Sequence, residues 1–231
     1  MSDRAPPRPD LCDQQDQPPL QGAPGLIRPP ITARAVVWDV GHVLYDWDPR
    51  YLYQKLIADP RELDWFLGHV VTKVWHFQSD AGRPIAAMIA ELTARFPHYA
   101  DLIAAYWPRW LETIPGPMPG MLDLVADLDA AQVPQFAITN FGAEFWAMFR
   151  PTAPVFDRFR DIVVSGVEKL TKPGPEIYAL ALARFGLGAH EGVFIDDRAD
   201  NIVGADAAGL VGHIFVDAAD TRAWLYGHHL L

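Results

Sequence analysis

Short runs of β-branched and aromatic residues alternate with longer amphipathic stretches from residue 35 onward. Runs of this kind predict strands, and apolar residues at helical spacing predict the helices between them. Strands that alternate with helices pair in parallel through right-handed crossovers, so the pattern predicts an α/β fold with an open, doubly wound sheet. The predicted strands are 35–38, 135–138, 161–164, 193–195 and 213–216, and the predicted helices include 121–131, 141–149, 175–185 and 201–208, the last ending at Gly209.

The segment between the first two predicted strands has no strand pattern. Its apolar residues keep helical spacing in three groups, at 63–74, 85–96 and 102–114, and the proline- and glycine-rich run 115–120 is typical of a linker. A helical segment inserted after the first strand of a Rossmann-like sheet overhangs the strand carboxyl ends, where ligands bind. We therefore predict an α-helical cap over residues 49–118, and a core made of residues 33–48 and 119–231.

Residues 1–32 differ in composition from the rest of the chain. Eight of the 21 prolines lie in the first thirty residues, with few periodic apolar positions. Burial in such a segment cannot offset the entropy lost on ordering, which predicts a disordered Pro-rich tail. Cys12, the one cysteine, lies in this tail and has no partner for an internal disulfide, which favours a reducing compartment.

The charge balance narrows the classes of partner. The 231 residues include 19 Lys and Arg against 29 Asp and Glu, a formal net charge of -10. Proteins that bind nucleic acid or anionic membranes use clustered positive charge, so we expect neither partner. The chain has no apolar run near the ~20 residues of a membrane span and no apolar N-terminal stretch of the signal-peptide kind, so we expect a cytoplasmic protein.

Acidic residues stand at the ends of two predicted strands. Asp39 follows the first strand, a position that suits a nucleophile or a metal ligand, although a turn or helix cap would also use it. Asp196 and Asp197 end the fourth strand and would repel each other without a compensating cation. Their oxygens suit Mg²⁺, and the alternative is that the pair caps the next helix.

Other polar residues follow the second and third strands. Thr139 and Asn140 precede a predicted helix, whose start either binds an anion or is simply capped by one of them. Lys172 stands before Pro173 in a loop whose prolines deny it a helical place. It is either a point charge for phosphate or an ordinary surface lysine.

In this order, the residues resemble the four motifs of the haloacid dehalogenase (HAD) superfamily over residues 35–217, with the helical insertion in the place of that family's cap. The resemblance implies that Asp39 attacks phosphorus and forms an aspartyl-phosphate, and that the Thr139 hydroxyl holds a phosphoryl oxygen with Asn140 beside it. Lys172 would steady nucleophile and phosphate. The implied ligands of a Mg²⁺ cofactor are the carboxylates of Asp39, Asp196 and Asp197 and the backbone carbonyl of Gly41.

One position departs from the family pattern. Most phosphatases of the superfamily carry a second aspartate two residues after the nucleophile as general acid and base, and this chain has Gly41 there. His42 and Asp46 are the nearby ionisable residues.

The sequence predicts a hydrolase, a Mg²⁺-dependent phosphatase of a small phosphorylated metabolite. The alternatives are a 2-haloacid dehalogenase, in which the same aspartate attacks carbon without a metal, and a non-catalytic phosphate-binding or interaction protein.

The insertion is expected to determine substrate specificity. It is rich in tryptophan, and at helical spacing most of these side chains are expected to form its own core. His76 and Gln78 are candidates for substrate contact, because a loop near them could reach the pocket. The tryptophans of the insertion are Trp65, Trp75, Trp107 and Trp110.

Overall fold

Five parallel strands form one sheet in the computed structural model, which describes residues 33–231. The strand order is β3-β2-β1-β4-β5, so the chain moves outward in one direction through β2 and β3 and then in the other through β4 and β5. β1 and β4 are therefore neighbours at the point where the direction reverses, which is where ligands bind in such sheets. The strands are β1 (Ala35–Trp38), β2 (Gln135–Thr139), β3 (Asp161–Val164), β4 (Gly192–Asp196) and β5 (Val211–Ile214).

The predicted strands correspond closely to the observed ones, and the fold class is confirmed. The last strand is the exception, because β5 begins and ends two residues before the predicted run 213–216. β5 is an edge strand whose residues are only partly buried, with Ile214 41% exposed and Val216 beyond it 65% exposed. Apolar residues at such an edge do not mark the paired positions, which are decided by the hydrogen bonds to β4.

Local residues explain where several helices begin and end. The side chains of Asp59, Thr72 and Asp217 accept hydrogen bonds from backbone N–H groups of the helices they precede. Gly209, predicted as a C-cap, has φ 98°, and glycine adopts this left-handed conformation at little cost. The helices are α1 (Arg50–Tyr53), α2 (Pro60–His69), α3 (Lys73–Asp80), α4 (Ile85–Arg95), α5 (Ala100–Ala105), α6 (Met121–Ala130), α7 (Ala143–Phe149), α8 (Ser165–Glu168), α9 (Pro175–Phe185), α10 (Ala199–Ala208) and α11 (Ala218–Gly227).

Residues 49–118 fold into helices α1 to α5 and two short 3₁₀ turns, without a named strand, and α6 follows them before β2. The buried side chains of residues 49–118, among them Phe66, Met88 and Trp110, join one continuous apolar core with Val36 and Trp38 of β1. Residues of α9 and α10 cover the opposite face of the sheet. The predicted Pro-rich tail and Cys12 lie outside the described residues. Among the helices of residues 33–231, none has the length and apolar character needed to cross a membrane.

Candidate active site

A buried lysine connects the carboxyl ends of β1 and β4. Asp39 directly follows β1, and its backbone N–H donates to the carbonyl of Ile195 in β4, so Asp39 and Asp196 lie side by side. The Nζ atom of Lys172 is 2.9 Å from Oδ1 of Asp39 and 2.6 Å from Oδ2 of Asp196. Lys172 is 2% exposed, so it is buried beside these two carboxylates and is not a surface lysine.

Asp196 is held by several donors besides this lysine. Its Oδ1 accepts from the backbone N–H of Arg198 at 2.8 Å and from Nδ2 of Asn201 at 2.9 Å. The carboxylate is fully buried, and these bonds satisfy it where water cannot reach. Asn201 was not among the predicted site residues. The pattern that could have revealed it is its place in the first turn of α10, five residues after Asp196.

Three carboxylates converge at this point of the sheet. Asp39, Asp196 and Asp197 each offer an oxygen, and these oxygens lie within 4.8 Å of one another. Carboxylates are the ligands that hard divalent cations prefer, and three of them against the single ammonium of Lys172 leave an excess of negative charge. The donor set therefore fits a divalent cation.

Burial and this charge excess shift the pKa values of the cluster. Burial raises the pKa of Asp39 to about 7, a rise that Lys172 opposes and the charge of Asp196 increases. Burial and Asp196 also raise the pKa of Asp197. Burial alone would lower the pKa of Lys172, but Asp196 and Asp39 hold it above its ordinary value. A bound cation would favour the ionised carboxylates.

Thr139 ends β2 and Asn140 follows it, and of the two only Asn140 lines the cavity beside these carboxylates. Thr139 is 1% exposed, and its Oγ1 has no hydrogen-bond partner among residues 33–231. A buried hydroxyl without a partner is uncommon. Asn140 uses its amide differently: Nδ2 donates to the backbone oxygen of Lys172, and Oδ1 accepts from the backbone N–H of Lys172.

The cavity next to the cluster has a volume of about 580 Å³. Asp39, Lys172 and Asp197 of the cluster line it, whereas Asp196 does not. His42 and Asp46 also line it, and they are 3.7 Å apart between Nδ1 and Oδ1. The other side chains that line the cavity are largely apolar. We name six of its buried or half-buried apolar lining residues the apolar wall: Tyr45, Trp47, Trp110, Ile114, Phe141 and Phe149.

Of the two substrate contacts predicted in the insertion, one lines the cavity and the other does not. His76 lines the cavity, with Nδ1 bonded to the hydroxyl of Tyr106 at 2.7 Å. Gln78 does not line the cavity, and its side chain accepts from Arg83. Both residues lie in α3, but helical geometry turns positions two apart to different faces, so only His76 points to the cavity. Of Asn140, His76 and Gln78, the structure thus brings two to the cavity.

Comparison with known proteins gives a family. The sequence of residues 33–209 matches the model of the haloacid dehalogenase-like hydrolase family. A curated relative, the sesquiterpene phosphatase astK of Aspergillus oryzae, is 26% identical over 191 residues, which span 82% of this chain and 93% of the relative.

Solved structures share the fold. A HAD family enzyme from Bacteroides thetaiotaomicron is 20% identical with a TM-score of 0.65, covering 84% of this chain and 98% of its own. Its complex with magnesium and inorganic phosphate has a TM-score of 0.60 at 20% identity, over 80% and 95%. L-2-haloacid dehalogenase from Xanthobacter autotrophicus, with chloropropionic acid covalently bound, has a TM-score of 0.57 at 16% identity, over 86% and 84%. With the family match over most of its length, this chain belongs to the haloacid dehalogenase-like hydrolases.

Proposed function

We propose that the protein is a Mg²⁺-dependent phosphatase that hydrolyses a small phosphate monoester through an aspartyl-phosphate on Asp39. The observation that carries the proposal is the contact of Lys172 with Asp39 and Asp196 inside the three-carboxylate cluster. The names of two relatives agree with it. One is a sesquiterpene phosphatase, and the other is a HAD family enzyme whose crystals hold magnesium and phosphate.

Asp39 is oriented for attack by two contacts on the same oxygen. Oδ1 accepts from the backbone N–H of Val40 at 2.7 Å and lies 2.9 Å from Nζ of Lys172. Both contacts involve Oδ1, so the other oxygen, Oδ2, is the one available to attack phosphorus. Lys172 also supplies positive charge toward a phosphate, and the unpaired hydroxyl of Thr139 donates to one of its oxygens.

The carboxylates of Asp39, Asp196 and Asp197 and the carbonyl of Gly41 would hold Mg²⁺. When bound, the ion cancels the negative charge that otherwise keeps a carboxylate and a phosphate apart. The unpaired Thr139 hydroxyl and the excess of carboxylates over ammonium groups are the features of this chain that fit a cation and a phosphate together.

Proton transfer falls to the pair His42 and Asp46. Gly41 has no side chain to protonate the leaving group, whereas His42 and Asp46 both line the cavity. Oδ2 of Asp46 accepts from the hydroxyl of Tyr51 at 2.5 Å, which orients the carboxylate beside the imidazole. As Asp39 forms its bond to phosphorus and the phosphorus–alkoxide bond breaks, His42 protonates the alkoxide. It then accepts a proton from the water that attacks the aspartyl-phosphate and releases inorganic phosphate.

The same aspartate could attack carbon and displace a halide, as in the dehalogenase alternative. The acid pair favours the phosphatase, because a metal-free reaction would leave three converging carboxylates, those of Asp39, Asp196 and Asp197, without a divalent cation to offset their mutual repulsion. We keep the dehalogenase as an outcome of the test below.

The test is an assay of phosphate release from a panel of phosphate monoesters, with Mg²⁺ or with EDTA. We compare the wild type, Asp39→Asn and the control Asp101→Asn, which changes an exposed carboxylate of α5 outside the cavity. Release should require Mg²⁺, should fall by at least about 10³-fold in Asp39→Asn, and should be unchanged in the control. Metal-independent halide release from a 2-haloacid would replace the proposal with the dehalogenase. Release that survives Asp39→Asn would contradict the nucleophile.

A further inference from the structure

The apolar wall is a continuous surface beside the carboxylate cluster. Ring centroids of Tyr45 and Phe149 are 5.0 Å apart, those of Phe149 and Phe141 are 5.6 Å apart, and those of Phe141 and Trp110 are 5.4 Å apart. These rings line the same cavity as Asp39 and Lys172. A substrate whose phosphate lies at the cluster therefore has a wall of aromatic rings within reach of its alcohol portion.

The size of the cavity also exceeds what a phosphate needs. Its volume of about 580 Å³ is in the range of about 300–1,000 Å³ that takes a drug-sized ligand. A phosphate has five non-hydrogen atoms and fills a small part of it. Most of the space is left for the alcohol portion of the ester.

Few polar side chains of the cavity are available to a polar alcohol. Several of them already have partners within the chain, which would have to be displaced to bind sugar hydroxyls. Three buried polar atoms of the lining have no partner among residues 33–231: Nε1 of Trp47, Nε1 of Trp110 and Oδ1 of Asn201. Each indole N–H can donate to a single oxygen, and the Asn201 oxygen can only accept. The paired side chains are Asn140 with Lys172, His76 with Tyr106, Asp46 with Tyr51, Lys73 with Asp48, and Arg198 with Asp200.

Two apolar side chains of α3 extend the wall into solvent. Val74 is 79% exposed and Phe77 is 42% exposed, and both line the cavity. They are three residues apart in the helix, so they share one face. An apolar ligand in the cavity would cover them and gain from removing their surface from water.

We propose that the substrate is an amphiphilic phosphate monoester whose alcohol is a large hydrocarbon group that lies against the apolar wall, Val74 and Phe77. This inference rests on the proposed phosphatase activity and adds the chemical class of its substrate. The cluster binds the phosphate, and the rings and α3 bind the hydrocarbon. Sugar phosphates are the class that the cavity disfavours.

The test is a series of n-alkyl monophosphates from ethyl to octyl, used below their micelle concentrations, with glycerol phosphate and a hexose phosphate for comparison. We expect kcat/KM to rise by up to about fourfold for each added methylene until the wall is covered, because each methylene leaves water on binding. A flat series, or preference for the polar esters, with release still dependent on Mg²⁺ and Asp39, would overturn the substrate class and leave the phosphatase intact.

Binding measurements keep the two proposals separable. Alkyl phosphonates, which are not hydrolysed, are titrated into the wild type with Mg²⁺ by calorimetry. Affinity that rises with chain length, with an increasingly negative heat-capacity change, supports the apolar site even if no ester is turned over. Affinity independent of chain length overturns it. Absence of release from every ester would overturn only the phosphatase.

A matched set of variants locates the hydrocarbon site. Val74→Ser and Phe77→Ser change the proposed surface, and the control Val203→Ser changes a valine of α10 that is 68% exposed and does not line the cavity. The ratio of kcat/KM for octyl phosphate to that for ethyl phosphate should fall by about 3- to 10-fold in Val74→Ser and Phe77→Ser. It should stay the same in Val203→Ser. An equal ratio in all three variants would contradict the placement.

Discussion

Asn140 and Lys172 exchange two hydrogen bonds, from Nδ2 of Asn140 to the backbone oxygen of Lys172 at 3.0 Å and from the backbone N–H of Lys172 to Oδ1 of Asn140 at 2.9 Å. The asparagine amide therefore fixes the loop that carries the lysine, although the two residues are 32 positions apart in the sequence. It also lines the cavity, where it was predicted to contact substrate. We infer that its larger role is to position Lys172.

Asn140→Ala should lower kcat/KM by about 10- to 100-fold, because a displacement of about 1 Å in a positioned group costs about that much. If Asn140 acts through Lys172, the loss should shrink in a Lys172→Ala background, since neighbours that act together are not additive. The measurement is a double-mutant cycle on phosphate release. Losses that simply add would show that Asn140 acts independently of the lysine.

Replacing the unpaired hydroxyl of Thr139 should stabilise the fold and weaken phosphate binding. Thr139→Val keeps the shape of the side chain and removes a buried polar group without a partner. The free energy of unfolding should rise by about 1 kcal/mol. Affinity for inorganic phosphate with Mg²⁺ should fall by about 10-fold, because a phosphate oxygen loses its donor. Urea unfolding and phosphate inhibition measure the two effects.

Thr221 is the matched control for this prediction. Its Oγ1 is also buried without a partner among residues 33–231, and it lies in α11 outside the cavity. Thr221→Val should stabilise the protein by a similar amount and leave phosphate inhibition unchanged. A loss of stability in Thr139→Val but not in Thr221→Val would mean that the Thr139 hydroxyl is bonded in the free protein.

Separate substitutions of Asp196 and Asp197 should distinguish a loss of fold stability from a loss of metal binding. Asp196 is fully buried and bonded to Lys172, Arg198 and Asn201, so Asp196→Asn should cost about 3–5 kcal/mol of stability with or without Mg²⁺. Asp197 is partly exposed and repelled by Asp196, so Asp197→Asn should leave stability in EDTA unchanged or slightly higher.

The readout for this pair is the thermal midpoint in EDTA and in Mg²⁺. A ligand that binds the folded state raises the midpoint, and this rise should be lost in Asp197→Asn. If Asp197→Asn keeps the full Mg²⁺-dependent rise, the carboxylate is not a ligand. If Asp196→Asn matches the wild type in EDTA, its hydrogen bonds do not stabilise the fold as described.

Asp80 should make stability depend on pH. Burial raises its pKa from 3.8 to about 7, so the folded state holds the proton more tightly than the unfolded state. Stability should therefore fall as pH rises from about 4 to about 7 and stay level above that. Asp80→Asn removes this loss. Its stability relative to the wild type should increase between pH 4 and pH 8 by roughly 1–3 kcal/mol, measured by urea unfolding.

His76 should change stability with pH in the opposite direction to Asp80. Its Nε2 is 3.7 Å from Oδ1 of Asp80. Burial lowers its pKa from 6.5 to about 3, so the unfolded state binds the proton first and stability is lost as pH falls below about 6.5. His76→Gln should therefore lose less stability on acidification than the wild type.

A difference between Asp80→Asn and the wild type that is constant with pH would show that the Asp80 carboxyl is not buried as the structure has it.

Patterns along the chain were enough to predict most of the fold. Strands β1 and β3 and helix α9 have the predicted bounds, because period and flanking prolines or glycines are local properties of the sequence. The positions of Asp39 and Asp196 at strand ends were readable for the same reason. The carboxyl ends of neighbouring parallel strands then bring them together.

Features that depend on contacts between residues far apart in the sequence were decided by the tertiary structure. The register of the edge strand β5 and the bonds from Asn140 to Lys172 have no local pattern. The same is true of the apolar wall, whose rings come from the β1 loop, the insertion and the segment around α7. In the sequence, those rings are indistinguishable from core residues. Only the packing of the insertion over the sheet decides which of them face a cavity.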